Sequence, residues 1–186
     1  MNQTVAIILL GLLGVAIMSF LINLYNKLVM LKFNVEKAYG NIDVVLKQRA
    51  DEIPNLVTVA KHFMNYEKEI LTRLTELRSS YSNASDSEKK TALANETSKA
   101  LSSFFAVSEN YPELKSNNNF LELQSRISGL ENKIADRREF FNDSVNLYNI
   151  GIHEFPNVIF AKIFGYKDKT LLEVPDPEKQ YHGVQF

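Results

Sequence analysis

With 186 residues, the chain has room for one domain of ordinary size and a short extra segment. A net charge of −1 leaves no basic footprint for nucleic acid, and the absence of cysteine excludes disulfides, thiolate metal ligands, cysteine nucleophiles and a lipidated-cysteine anchor. Seven glycines, five prolines and no tryptophan leave little punctuation for an all-β protein.

Residues 1–4 form a short uncharged end, and residues 5–24 read VAIILLGLLGVAIMSFLINL, with Asn23 the one strongly polar side chain. Twenty residues of helix at 1.5 Å each match a hydrocarbon layer of roughly 30 Å. The stretch is therefore expected to be a transmembrane helix, anchored along Val5, Ile8, Leu12, Val15, Phe20 and Leu24. A cleaved signal peptide fits less well, because no Lys or Arg precedes the run, the run is long, and no Ala-x-Ala follows it. Lys27, Lys32 and Lys37 follow the span while none precedes it. The positive-inside rule then places the N-terminus outside and the C-terminal part in the cytoplasm. Gly11 and Gly14 are three apart, unlike the four-residue spacing of a close helix dimer, so the oligomeric state is left open.

Residues 25–166 are expected to form an all-α, antiparallel, four-helix up-and-down bundle of three long helices and one shorter one. Apolar residues recur at spacings of three and four, as on packed helices. The first series is Leu28, Leu31, Val35, Tyr39, Ile42 and Leu46; nothing breaks the chain before Leu28, so it should continue the span. The second is Leu56, Val59, Phe63, Ile70, Leu74, Leu77 and Tyr81. Pro54 either sits in the first turn of a new helix capped by Asp51 or kinks one long helix. After a polar stretch at 79–87, Ser85 and Glu88 have capping-box spacing for a shorter third helix bearing Leu93, Ala100, Phe104 and Val107. Asn110-Tyr111-Pro112 ends it. Asn119 and Glu122 start the longest series, from Phe120 through Ile127, Ile134, Phe141 and Tyr148 to Phe155. Phe155-Pro156 closes that helix, a short cap follows at 158–164, and Gly165 ends the cap. Residues 167–186, with Pro175 and Pro177, read as an exposed tail, in which Tyr181 and Phe186 would serve a short docking peptide if they serve anything.

Catalytic signatures are missing. Neither His62 nor His153 follows a Glu three residues earlier, as a di-iron bundle requires, and no phosphate loop, dinucleotide fingerprint or nucleophile elbow occurs. No cofactor or metal is expected. Asn83, Asn95 and Asn142 each head a glycosylation triplet, which a cytoplasmic domain would never expose to the machinery. The polar residues singled out are Asp43, Arg49 and Asn55 early in the bundle and Glu131, Arg138 and Asn142 on its last long helix. They fix register by pairing across helices, or they line a groove that grips a partner's polar group. The first reading carries more weight.

Several segments together resemble the LemA family: Tyr25-Asn26-Lys27-Leu28-Val29, Ile42 to Arg49 running into Ile53-Pro54-Asn55-Leu56-Val57, Glu109 to Lys115, and Glu131 to Arg138. Phe141-Asn142, Tyr148-Asn149, Phe155-Pro156, Gly165-Tyr166 and the closing Val184-Gln185-Phe186 extend the resemblance. The family usually has Gln and a basic residue where this chain has Val45 and Gln48. The resemblance implies a bacterial-type membrane protein, N-terminus out, with a helical-bundle domain and no agreed reaction. Such proteins tend to be encoded near other membrane proteins, a membrane metallopeptidase among them. The expected function is a membrane-anchored interaction scaffold with a part in membrane-protein assembly or quality control. Its partners would be the lipid bilayer and other membrane-associated proteins, without nucleic acid. An enzyme or small-ligand binder using an unrecognised polar groove is the alternative.

Overall fold

A computed structural model describes residues 3–64 and 66–172, which are all-α. Six helices follow one another: α1 (Gln3–Lys61), α2 (Lys68–Asn83), α3 (Ser87–Ser108), α4 (Pro112–Lys115), α5 (Asn118–His153) and α6 (Asn157–Ile163). The membrane-length apolar run and the first bundle helix are one continuous α1, and Pro54 lies inside it instead of starting a new helix. Two compact units are present, residues 3–39 with 140–171 and residues 40–139, and both α1 and α5 contribute to each.

The unit at 40–139 has four antiparallel helical segments. Arg126 of α5 pairs with Glu52 of α1 and Glu131 with Arg49, so the two helices run in opposite directions. Tyr81, near the end of α2, reaches Asp43 of α1, and Lys90, near the start of α3, reaches the same carboxylate. The apolar centre joins Ile53, Leu56, Ala60, Leu74, Leu101, Phe104, Phe120 and Ile127. Phe104 and Phe120 meet edge to face at 6.3 Å. Leu114 of α4 closes one side of this core.

Four local expectations shift. The second apolar series is divided: Leu56 and Val59 belong to α1, which ends in a tightened turn where the Phe63 and Met64 amides both donate to the Ala60 carbonyl. The short member of the four is α2, with 16 residues, whereas α3 has 22. The cap of α3 is Asp86, whose carboxylate accepts from the Lys89 amide at 2.9 Å, rather than Ser85. A carboxylate at that place also complements the positive helix N-terminus. Asn117, not Asn119, caps α5 by accepting from the Phe120 amide.

In the unit built from 3–39 and 140–171, Leu24, Leu28, Val35 and Ala38 of α1 are buried with Val145, Tyr148 and Ile152 of α5. A β-carbon on Gly151 would collide with the tip of the Leu31 side chain, so the glycine makes room for that leucine against α5. Gly165, at φ 70°, ends α6 in a Schellman arrangement: the Tyr166 amide donates to the Ala161 carbonyl and the Gly165 amide to that of Lys162. Beyond it the chain is fastened to α5. The Tyr148 hydroxyl donates to the Lys167 carbonyl, and the Asn149 side chain both donates to the Lys169 carbonyl and accepts from its amide, each at 2.9 Å. The remaining tail residues singled out above, from Pro175 to Phe186, lie outside the described residues.

Candidate functional site

The polar centre of the 40–139 unit is Arg49, only 2% exposed. Its position on α1 follows the same period as Ile42, Leu46 and Ile53, so the helix aims it inward. Opposite it, α3 offers small side chains, Ala94 and Ser98, which leave space for a guanidinium. Arg49 donates to Glu131 at 2.7 Å, to the Ser98 hydroxyl at 2.7 Å and to the Ala94 carbonyl at 2.9 Å. Ser98 in turn donates to the second oxygen of Glu131. Three helices are thereby tied by one cation. Of the Arg49 nitrogens, Nε has no acceptor among the described residues, as is also true of Arg78 Nε.

A second buried guanidinium, Arg138, donates to Asn95 at 2.7 Å, joining α5 to α3. Asp43 accepts from the Tyr81 hydroxyl at 2.7 Å and from Lys90 at 2.9 and 3.0 Å, and the Lys90 ammonium lies over the Tyr81 ring. Burial pushes the Asp43 carboxyl up, but the Lys90 and Tyr81 donors outweigh it and hold the group below its ordinary 3.8. Asn55 is exposed, and its amide donates to its helical neighbour Glu52 at 3.5 Å. Asn142 is half-buried on α5 in the other unit.

Among the singled-out residues, then, the structure brings Arg49 and Glu131 together, gives Asp43 and Arg138 partners not foreseen, and leaves Asn55 at the surface. The unforeseen partners are Ser98, Asn95, Tyr81 and Lys90. The signal was present on α3, where Ala94, Thr97, Leu101, Phe104 and Ser108 are buried while Leu93, Ala100 and Val107 are only half so. Its inward stripe is built partly of small and hydroxyl residues, which a search for large apolar side chains passes over.

Glu131 is also the link to the surface, with its side chain 28% exposed. It borders a groove of about 520 Å³ between α3 and α5, floored by Leu101, Phe105 and Ile127 and rimmed by Ser98, Ser102 and Asn132. A second groove, about 640 Å³, runs along α2 beside Lys61, Met64, Leu71 and Thr75. Among the described residues no group of three His, Asp or Glu side chains could hold a metal ion. His153 pairs with Asp168 at the surface.

An all-α bundle carrying one exposed helix long and apolar enough to cross a membrane defines a membrane-associated helical protein. The profile of the LemA family matches residues 38–186, and the chain belongs to that family. It is also similar to the magnetosome protein MamQ of Magnetospirillum gryphiswaldense, with 34% identity over 68 residues. Magnetosome proteins MamQ 1 and MamQ 2 of Paramagnetospirillum magneticum are 35% identical over the same length. These matches cover 37% of this chain and a quarter of each relative.

Proposed function

We propose that this protein is a single-pass membrane-tethered scaffold, whose bundle offers side-chain-lined grooves to other membrane-associated proteins. The observation that carries the reading is α1. Its apolar N-terminal window is wholly unburied by the protein, and the same helix continues into the core at Leu28 and beyond. A helix apolar all round, with no protein over it, calls for lipid. The two buried guanidinium groups, Arg49 and Arg138, are each engaged by side chains of neighbouring helices, which suits holding helices in register better than turning over a substrate. The groove beside Glu131 pairs an apolar floor with a polar rim, the anatomy of a recognition surface. Work in membrane-protein assembly or quality control fits a scaffold of this kind, as does a cytoplasmic-membrane location with the bundle inside the cell.

A photo-crosslinking residue at Ser102, in the full chain in its own membrane, tests the reading. Discrete protein adducts from that position, missing from one at exposed Asn55, are the expected result. A second reading, a small-ligand site, is favoured by the groove's size, which is ordinary for small-molecule pockets. Native mass spectrometry showing a bound small molecule lost on Ser98→Leu, with no protein adduct from position 102, would replace the scaffold by that reading.

A further inference from the structure

One face of the 3–39 and 140–171 unit is unexplained by either the core or the grooves. On α6, Asn157 and Ala161 point inward at 3% and 2% exposure, while Ile159 and Ile163 stand out at 48% and 70%. Phe155 before the helix and Phe164 after it are exposed at 82% and 52%. Four large apolar side chains along ten residues is far from an ordinary soluble surface. Where this face lies decides what covers it. The Phe164 ring meets the Tyr25 ring edge-on at 5.4 Å, and Tyr25 is the residue immediately after the apolar run. At the other end of the segment, the Glu154 carboxylate holds the Lys27 ammonium at 2.9 Å. At 1.5 Å rise per residue, Lys27 is only about 5 Å beyond Leu24. Both ends of the segment are thus fixed at the level where α1 would leave the hydrocarbon. Leu24, the last residue of the apolar run, is itself buried.

We propose that residues 155–164 rest in the interfacial layer of the lipid bilayer, with Phe155, Ile159, Ile163 and Phe164 among the acyl chains, as a second membrane contact beside the span. This rests on the membrane reading of residues 5–24. An amphipathic segment lying in the interface buries its apolar face about 5–10 Å deep and sets cations at the headgroups. Lys162 on α6, with Lys167 and Lys169 just after it, supplies those cations for anionic lipid, against Glu154 and Asp168. The reversal made by Gly165 then turns the chain away from α6 and toward α5.

The chain has no tryptophan, so single-Trp variants report one position each. Full-length F155W, I163W and V15W would be reconstituted in phosphatidylethanolamine–phosphatidylglycerol vesicles, with and without brominated acyl chains. Circular dichroism would verify unchanged helix content. The expected result is blue-shifted emission at 155 and 163, quenched by bromolipid as at 15. Water-like, unquenched emission at 155 and 163 with quenching at 15 overturns this contact and leaves the membrane reading standing. Blue-shifted but unquenched emission at 155 and 163 means that protein, a second copy included, covers the face, and overturns it too. Lack of quenching at all three positions removes the span itself.

Discussion

Arg49 and Glu131 form an unequal pair. The guanidinium is almost wholly buried, whereas the carboxylate keeps access to water. Removing one partner of a buried pair is costly because the other charge is stranded, on the order of 3 kcal/mol. Here the cost depends on which partner goes. Glu131→Gln leaves a cation that cannot hydrate, and should destabilise by about that amount. Arg49→Met leaves a carboxylate that Ser98 and water still serve, and should cost clearly less. Denaturant titration of the full chain in detergent measures both, and equal losses would refute the asymmetry. Asp43 adds a pH dependence. Its folded pKa lies below the unfolded 3.8, so the stability it contributes is fully present above pH 3.8 and is lost as pH falls through the lower folded value. With the side chain about a third exposed, the contribution is at most about 1 kcal/mol. Asp43→Asn should flatten that acid limb and leave the neutral-pH slope unchanged in a pH series of melts.

At the level of whole helices, the sequence was most legible where spacing and burial agree. Phe120, Ile127, Ile134, Phe141 and Tyr148 share one face of a long helix by their spacing and are buried on one face of α5. Continuity of α1 was readable because no breaker separates Leu24 from Leu28. The turn between α1 and α2 was not, since no Gly or Pro lies between Pro54 and Pro112 and the apolar period runs across the break. Phe155 had the right spacing but lies past the helix end, exposed. Capping was ambiguous for a simpler reason: Ser85 and Asp86 are adjacent residues of equal aptitude. The two can be told apart. Asp86→Ala should cost about 1 kcal/mol in stability, and Ser85→Ala should cost close to nothing. The reverse order in chemical denaturation would restore the serine as the cap. Among the polar residues, Arg49 was readable as inward-facing but its partners were not. Ala94 and Ser98 contribute by being small and by presenting a carbonyl and a hydroxyl, features that carry no periodic signal.

For the whole molecule, the open question of orientation has a direct assay. A chain without cysteine accepts a single thiol as an unambiguous reporter. Ser87→Cys, at the exposed start of α3, should resist an impermeant maleimide on intact cells and react after permeabilisation. Labelling of intact cells would reverse the orientation inferred from Lys27, Lys32 and Lys37. Resemblance to the LemA family covers most of the chain, so architecture is fixed more firmly than occupation. The MamQ likeness is confined to 68 residues, about a quarter of each relative's length.

Asn149 grips Lys169 with its side-chain amide, which pairs with the Lys169 backbone N–H and carbonyl much as one β-strand pairs with another. The clasp requires the amide of Asn149 but only main-chain atoms of residues 167 and 169, while the Lys169 ammonium lies separately over the Tyr148 ring. The described chain beyond α6 therefore departs from a fixed point on α5, about one turn before that helix ends.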